Sequence, residues 1–165
     1  MPERSGPGPA AAGDARWADL ADLILVIARE IQFHGYTDPH AVPLTQSEGM
    51  VMRYLHDRPG AAPSQIAAAT GLQRTNLSAV LRGLEGKGLA ERRASPEDRR
   101  GATIHPTERG TRNYALVRQE WASAVSGAAS HDASRLQETL ALLSEIQAGL
   151  TAARPSVPGR PATLM

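Results

Sequence analysis

The chain has 165 residues, with 18 lysines and arginines against 17 aspartates and glutamates, and it contains no cysteine. This length favours one domain with a buried core, and the lack of cysteine excludes disulfides, thiolate metal sites and thiol nucleophiles. The longest apolar run, Leu23–Ala28, has six residues, far fewer than the roughly 20 that a membrane-spanning helix needs. No secretory segment opens the chain, so we expect a cytoplasmic protein without a membrane partner.

Both ends of the chain are rich in proline and glycine and lack periodic apolar residues. They predict a disordered tail over residues 1–13 and a flexible tail over residues 153–165. Between them, 28 alanines and only six aromatic residues favour closely packed helices over a sandwich or a barrel.

The first two helices are predicted from apolar spacing and capping residues. Apolar residues three and four apart predict a helix from Arg16 to about Phe33. Thr45 and Glu48 form a capping box that starts the second helix, and Pro59 and Gly60 end it.

A helix-turn-helix pair follows in the sequence. Pro63 can open a third helix because the missing N–H is harmless in the first turn, and Gly71 suits the left-handed turn after it. A fourth helix is predicted from about Gln73 to Lys87. Two short helices joined by a tight turn containing glycine are typical of the helix-turn-helix motif.

The next segment predicts a wing and two further helices. Two extended stretches, Leu89–Arg93 and Ala102–His105, flank a polar turn and indicate a two-stranded hairpin. Thr107 caps a fifth helix, and Ser130 or Asp132 starts a sixth.

Positive charge is concentrated in the second half of the helix-turn-helix and in the wing. Residues 72–112 hold nine basic and five acidic residues. This local excess is typical of a phosphate-binding face, although a solvated arginine-rich surface is the alternative.

The start of the fourth helix carries side chains that can bind base edges and phosphates. Arginine pairs with guanine, and asparagine or glutamine pairs with adenine. The first turns of a recognition helix enter the major groove. We therefore expect DNA contacts from Gln73, Arg74, Thr75, Asn76, Ser78 and Arg82.

Some of these polar residues also have a structural alternative. Gln73, Thr75 or Ser78 could simply cap the fourth helix. Ser64, at the start of the third helix, is a candidate phosphate contact, but it could equally be an ordinary cap.

At the wing tip, Asp98 could hold the loop while Arg99 or Arg100 points outward into a minor groove. A local surface ion pair is the alternative.

Residues 44–110 resemble the winged helix-turn-helix of MarR-family transcriptional regulators. The most specific part of the resemblance is the block from Leu84 to Arg100. The shared motifs are Leu44-Thr45, Ser64-Gln65-Ile66-Ala67, Leu84-Glu85-Gly86-Lys87-Gly88-Leu89, Glu91-Arg92-Arg93-Ala94-Ser95-Pro96-Glu97-Asp98-Arg99-Arg100 and Thr107-Glu108-Arg109-Gly110. Two departures are glycines at 83 and 86 inside the recognition helix and a proline at 106.

The resemblance implies a homodimer that is clasped by the first, fifth and sixth helices. It also implies binding to a pseudo-palindromic double-stranded DNA operator, usually as a repressor. By this resemblance Arg100 inserts into the minor groove and Asp98 orients it. Relatives bind small aromatic or anionic effectors in a cleft, which here would be lined by Phe33, Tyr36, Met50, Tyr54 and Tyr114; at helical spacing these residues can equally be core.

The sequence does not favour catalysis or a cofactor. It contains no metalloprotease, phosphate-loop or nucleophile-elbow motif, and its five histidines are scattered without metal-ligand spacing. We expect no enzyme, no cofactor and no metal site. A winged-helix protein-interaction module and a metal-responsive regulator that uses His34 and His40 are the alternative functions.

The predicted fold is mainly α with a small β-hairpin wing: a dimeric, six-helix winged helix-turn-helix. Its parts are an N-terminal dimerisation helix and linker over 14–43, a DNA-binding lobe over 44–106 and C-terminal dimerisation helices over 107–152.

Overall fold

A computed structural model describes residues 9–94, 101–129 and 133–154. Within these ranges the chain forms six helices and one antiparallel two-stranded sheet, which confirms the predicted winged helix-turn-helix fold. The elements are α1 (Pro9–Phe33), α2 (Gln46–Asp57), α3 (Pro63–Thr70), α4 (Arg74–Gly86), β1 (Ala90–Ala94), β2 (Ala102–Pro106), α5 (Glu108–Ala128) and α6 (Leu136–Ala152).

Two helix starts differ from the sequence-based predictions. Helix α1 begins at Pro9, so it includes five residues that the sequence assigned to a disordered tail. Proline is tolerated in a first helical turn, and the alanines after it have the highest helix propensity. Helix α6 begins at Leu136 after Arg135 in the N-cap position, whereas the predicted starts, Ser130 and Asp132, lie outside the described residues.

The local signals at the other helix ends are confirmed. Thr45 Oγ1 accepts a hydrogen bond from Glu48 N at 3.2 Å, and Glu48 Oε2 accepts one from Thr45 N at 2.8 Å. Gly71 ends α3 with a φ of 74° in the left-handed region. Thr107 Oγ1 accepts from Gly110 N at 2.9 Å and so caps α5.

The core lies between the helix-turn-helix, the wing and the first half of α5. On α4, Leu77, Leu81 and Leu84 are buried, with Val80 half-buried beside them. On α2 the adjacent residues Val51 and Met52 are buried, whereas Met50 is exposed. The core side chains are Leu44, Val51, Met52, Leu55, Ala61, Ile66, Leu77, Leu81, Leu84, Leu89, Ala90, Ile104, Tyr114 and Val117.

The two strands of the wing pair from Ala90 with Pro106 to Ala94 with Ala102. Ile104, at the middle of β2, is fully buried, and its backbone also bridges to Ala61. Pro106 is the last residue of β2, a strand-end position that proline tolerates. The wing is therefore fixed to the helix-turn-helix at its base.

A partly buried ion pair joins the start of α2 to the end of α4. Glu48 is 5% exposed, and its Oε2 lies 2.6 Å from Lys87 Nζ, which also donates to Pro43 O at 2.9 Å. A Cβ atom on Gly83 would lie 2.9 Å from Glu48 Oε1. Gly83, which departs from the family pattern inside α4, thus allows this helix to approach the Glu48 carboxylate closely.

The linker between α1 and α2 is held by α5. Glu120 accepts hydrogen bonds from the backbone N–H groups of Thr37 at 2.9 Å and Asp38 at 3.1 Å, and the bond from Thr37 lowers the pKa of this carboxyl below its ordinary value. Asn113 accepts from Val42 N at 2.7 Å and donates to Val42 O at 3.0 Å. These contacts fix where the helix-turn-helix begins relative to α5.

Helices α1 and α6 present apolar side chains to the outside of the single chain. None of the residues of α6 is buried. The exposed large apolar residues on these two helices are Trp17, Leu23, Leu25, Val26, Ile27, Phe33, Leu136, Leu140, Leu142 and Leu150. Among the described residues, no helix is both long and apolar enough to cross a membrane.

Candidate nucleic-acid interface

The outward face of α4 carries the six predicted contact residues. The three leucines Leu77, Leu81 and Leu84 hold α4 against the core, so the polar side chains are left on the opposite side. All six of these polar residues are exposed. Within the described part of the chain, no hydrogen bond or ion pair holds any of their side chains, which are Gln73, Arg74, Thr75, Asn76, Ser78 and Arg82.

The alternative capping roles of these residues are not supported by the geometry. Gln73 occupies the N-cap position of α4 with extended backbone, but its side chain makes no capping hydrogen bond. At α3 the N-cap residue is Ala62, whose N–H donates to the side chain of Gln65 at 2.8 Å. Ser64 is the second residue of α3, so it is not the cap residue.

The six residues do not all point the same way. Successive residues of an α-helix are about 100° apart. Arg74, Ser78 and Arg82 therefore follow one another along one side of α4, with Thr75 next to this row. Asn76 lies about 100° beyond Thr75, on the other flank of the exposed face.

A cleft of about 280 Å³ lies beside this row, between the start of α3, α4 and β1. It brings together three residues that the sequence singled out, Ser64, Arg74 and Ser78, and adds Arg92 of β1. Arg92 Nε lies 2.7 Å from Glu85 Oε1 of α4. The sequence placed Arg92 in the basic segment but gave no reason to select it, because its position depends on how the wing folds back onto α4.

The wing contributes two ion-paired arginines, Arg92 and Arg93, to the described surface. Arg93 Nη2 lies 2.6 Å from Glu91 Oε1 on the same strand, and Arg92 pairs with Glu85 as above. Both arginines are exposed, so these pairs add little to stability. The predicted wing-tip contacts, Asp98, Arg99 and Arg100, lie outside the described residues.

The predicted effector residues differ in their surroundings in the described part of the chain. Tyr114 is in the core, where burial raises the pKa of its hydroxyl above the ordinary value. Tyr36 and Tyr54 are half-buried against that core, whereas Met50 is exposed and Phe33 is 69% exposed with the Arg29 guanidinium over its ring. None of the five lines the cleft beside α4 or the second cavity, which lies between α1 and α6.

The histidines are spread over the described structure. His56 packs against the Tyr114 ring with centroids 5.5 Å apart, and His105 contacts Thr103 Oγ1 at 3.1 Å. In residues 9–94, 101–129 and 133–154 there is no group of three or more histidine, aspartate or glutamate side chains that could hold a metal ion.

Comparison with known proteins relates this geometry to one family. Residues 42–101 match a family model described as "MarR family". A protein of Thauera aromatica, named as a transcriptional regulatory protein for the hcr operon, is 30% identical over 115 residues, which are 62% of this chain and 69% of that protein.

Two solved structures share the fold. The transcriptional repressor CouR, bound to a 23-mer DNA duplex, superimposes with a TM-score of 0.65 at 22% identity over 87% of this chain and 99% of its own. NadR in complex with 4-hydroxyphenylacetate superimposes with a TM-score of 0.55 at 20% identity over 93% of this chain and 100% of its own. The chain belongs to the MarR family of transcriptional regulators and is not an enzyme.

Proposed function

We propose that this protein is a sequence-specific DNA-binding repressor that recognises a pseudo-palindromic operator as a homodimer. The observation that carries this proposal is the exposed row on α4, which has no partners within the described chain and adjoins the cleft of Ser64 and Arg92. Polar side chains that lack partners on a well-anchored helix are available for base edges. The cleft beside them can take a phosphate of the backbone.

The residues divide into two kinds of contact. Asn76, Gln73 and Thr75 suit base edges in the major groove, because their amide and hydroxyl groups match the donor and acceptor pattern of the bases. Arg92 and Ser64 suit phosphates and would fix the register of the protein on the duplex. Arg74 can contact either a base edge or a phosphate, because it begins α4 and also lines the cleft.

A homodimer supplies the second recognition helix. The apolar residues left exposed on α1 and α6 need a covering surface, and a two-fold axis would cover each copy with the same surface of the other. Two α4 helices set about 34 Å apart would enter successive major grooves. The structure of CouR bound to a DNA duplex supports double-stranded DNA as the partner of this fold.

The wing tip is proposed to add a minor-groove contact. Asp98, Arg99 and Arg100 lie in the sequence between the end of β1 at Ala94 and the start of β2 at Ala102. Arginine is suited to the narrow, electronegative minor groove, so we assign insertion to Arg100 and loop positioning to Asp98.

A small-molecule effector is proposed to release the repressor. The complex of NadR with 4-hydroxyphenylacetate supports an aromatic anion as the ligand class. The candidate residues remain Phe33, Tyr36, Met50, Tyr54 and Tyr114. Such a ligand can weaken operator binding only if it binds better to a dimer whose recognition helices no longer match the half-site spacing.

The direct test is to select bound fragments from the source genome and to measure affinity for them at several salt concentrations. We expect a footprint with two half-sites one helical turn apart and an affinity that falls steeply as salt rises. Failure to bind any duplex at low ionic strength would overturn the proposal. Capture of an acidic protein instead of DNA would favour the interaction-module alternative.

Replacing Arg74 by alanine should weaken operator binding by about 1–3 kcal/mol. The side chain is exposed and lines the cleft, so the melting temperature should stay close to that of the unsubstituted protein. Fluorescence anisotropy with labelled operator measures the loss. The matched control is Arg135→Ala, which removes the same charge at the N-terminal end of α6; equal affinity losses for the two variants would contradict the role of Arg74.

A further inference from the structure

Arg154 makes a contact between two parts of the chain that are far apart in sequence. It follows the C-terminal end of α6, and its Nη1 donates to Ala69 O at 2.8 Å and lies 3.5 Å from Ala68 O. These carbonyls belong to the last turn of α3, where a helix leaves its C=O groups without intrahelical partners. The guanidinium charge also complements the negative end of the helix dipole.

Gly71 provides the space for this contact. Its φ of 74° ends α3, and a Cβ atom at this position would lie 3.3 Å from both Cζ and Nη1 of Arg154. The sequence shows this glycine only as a helix terminator. In the structure it also lets the guanidinium come close to the end of α3.

The contact joins α6 to the helix-turn-helix. Helix α6 buries none of its own residues in the single chain, and Arg154 also borders the apolar cavity between α1 and α6. Helix α3 is separated from the recognition helix only by Gly71, Leu72 and Gln73. Only three residues therefore separate the end of α3, where Arg154 binds, from the start of α4.

We infer that Arg154 is a positioning residue that sets the orientation of the helix-turn-helix relative to α6. This inference deepens the proposed function and rests on it for its effect on DNA. In a dimer held by α6, the orientation of each lobe determines the separation of the two α4 helices. That separation must match the pitch of the duplex, about 34–36 Å.

A distance measurement tests the positioning role without DNA. The chain has no native cysteine, so Ala79→Cys on α4 and Ala141→Cys on α6 would carry two spin labels in one chain. Both positions are exposed, and dilution with unlabelled protein leaves only distances within one protomer. We expect a narrow distance distribution that broadens or shifts in the Arg154→Gln variant but not in Arg135→Gln at the other end of α6.

Operator binding supplies the second readout. Arg154→Gln should bind a single half-site within about twofold of the unsubstituted protein, because the variant leaves α4 itself intact. Binding to the complete operator should weaken by about tenfold, and the preference for the native half-site spacing over spacings one base pair longer or shorter should decrease. Arg154→Lys keeps the positive charge but lacks the planar guanidinium group. Its affinity for the complete operator should therefore lie between those of the unsubstituted protein and Arg154→Gln.

The outcomes separate this inference from the proposed function. An unchanged label distribution in Arg154→Gln overturns the positioning role whether or not DNA is bound. Equal losses on the half-site and the full operator also overturn it, because they would indicate damage to the lobe itself. A broadened distribution in a protein that binds no duplex would uphold the positioning role and overturn the proposed function.

Discussion

Gly110→Ala should lower the free energy of unfolding by about 3 kcal/mol or more. A Cβ atom on Gly110 would lie 1.8 Å from Leu89 O and 2.7 Å from Leu89 C. Both are backbone atoms, so the clash cannot be relieved by a side-chain rotation. Leu89 also accepts a hydrogen bond from Thr107 N at 3.1 Å, and pushing it away would disturb the junction of α4, β1 and α5.

Thermal and denaturant unfolding measure this loss. A change of this size should lower the melting temperature by about 6–12 °C. The matched control is Gly127→Ala on the same helix, where a Cβ atom would meet nothing within 4 Å. There alanine should raise the free energy of unfolding by up to about 1 kcal/mol, through its better helix propensity. Similar melting temperatures for both variants would contradict the close approach at Gly110.

Leu136→Glu combined with Leu140→Glu should convert the proposed dimer into monomers that no longer bind the operator. These leucines are 51% and 55% exposed in the single chain, so the substitutions leave the core intact. In the dimer each would place a carboxylate in apolar surroundings, which costs several kcal/mol per group. Because the interface is two-fold symmetric, each substitution introduces two carboxylates, one from each protomer.

Sedimentation should then give the mass of one chain, 17.5 kDa, in place of twice that value. The matched control is Gln137→Glu with Ala141→Glu, which introduces carboxylates at the neighbouring positions, about 100° around α6. We expect this control to stay dimeric and to keep its affinity for the operator. An intact dimer in the leucine variant would show that α6 does not form the interface.

The elements whose signals are local could be predicted from the sequence. The capping box at Thr45, the left-handed end of α3 at Gly71 and the cap at Thr107 each depend on residues within a few positions of one another. The contact residues of α4 could be chosen for the same reason, because helical periodicity separates them from Leu77 and Leu81. Their specific roles at the DNA remain predictions.

The features that depend on contacts between distant residues could not be predicted. Arg92 enters the cleft through the fold of the wing, and Arg154 meets α3 across 85 residues of sequence. Gly110 looked like an ordinary residue of a first helical turn until Leu89 was placed against it. The start of α1 was missed for a different reason, since proline and glycine content outweighed the three alanines after Pro9.

The buried carboxylate of Glu48 makes the residues that are tolerated at positions 48, 83 and 87 depend on one another. It caps α2, pairs with Lys87 and lies where a side chain at Gly83 would have to go. A methyl group at 83 would require the Glu48 carboxylate to shift or residue 48 to become shorter, and either change would weaken the ion pair with Lys87. Homologues should therefore vary residues 48, 83 and 87 together, so the identity of residue 83 would indicate how the C-terminal end of α4 is anchored.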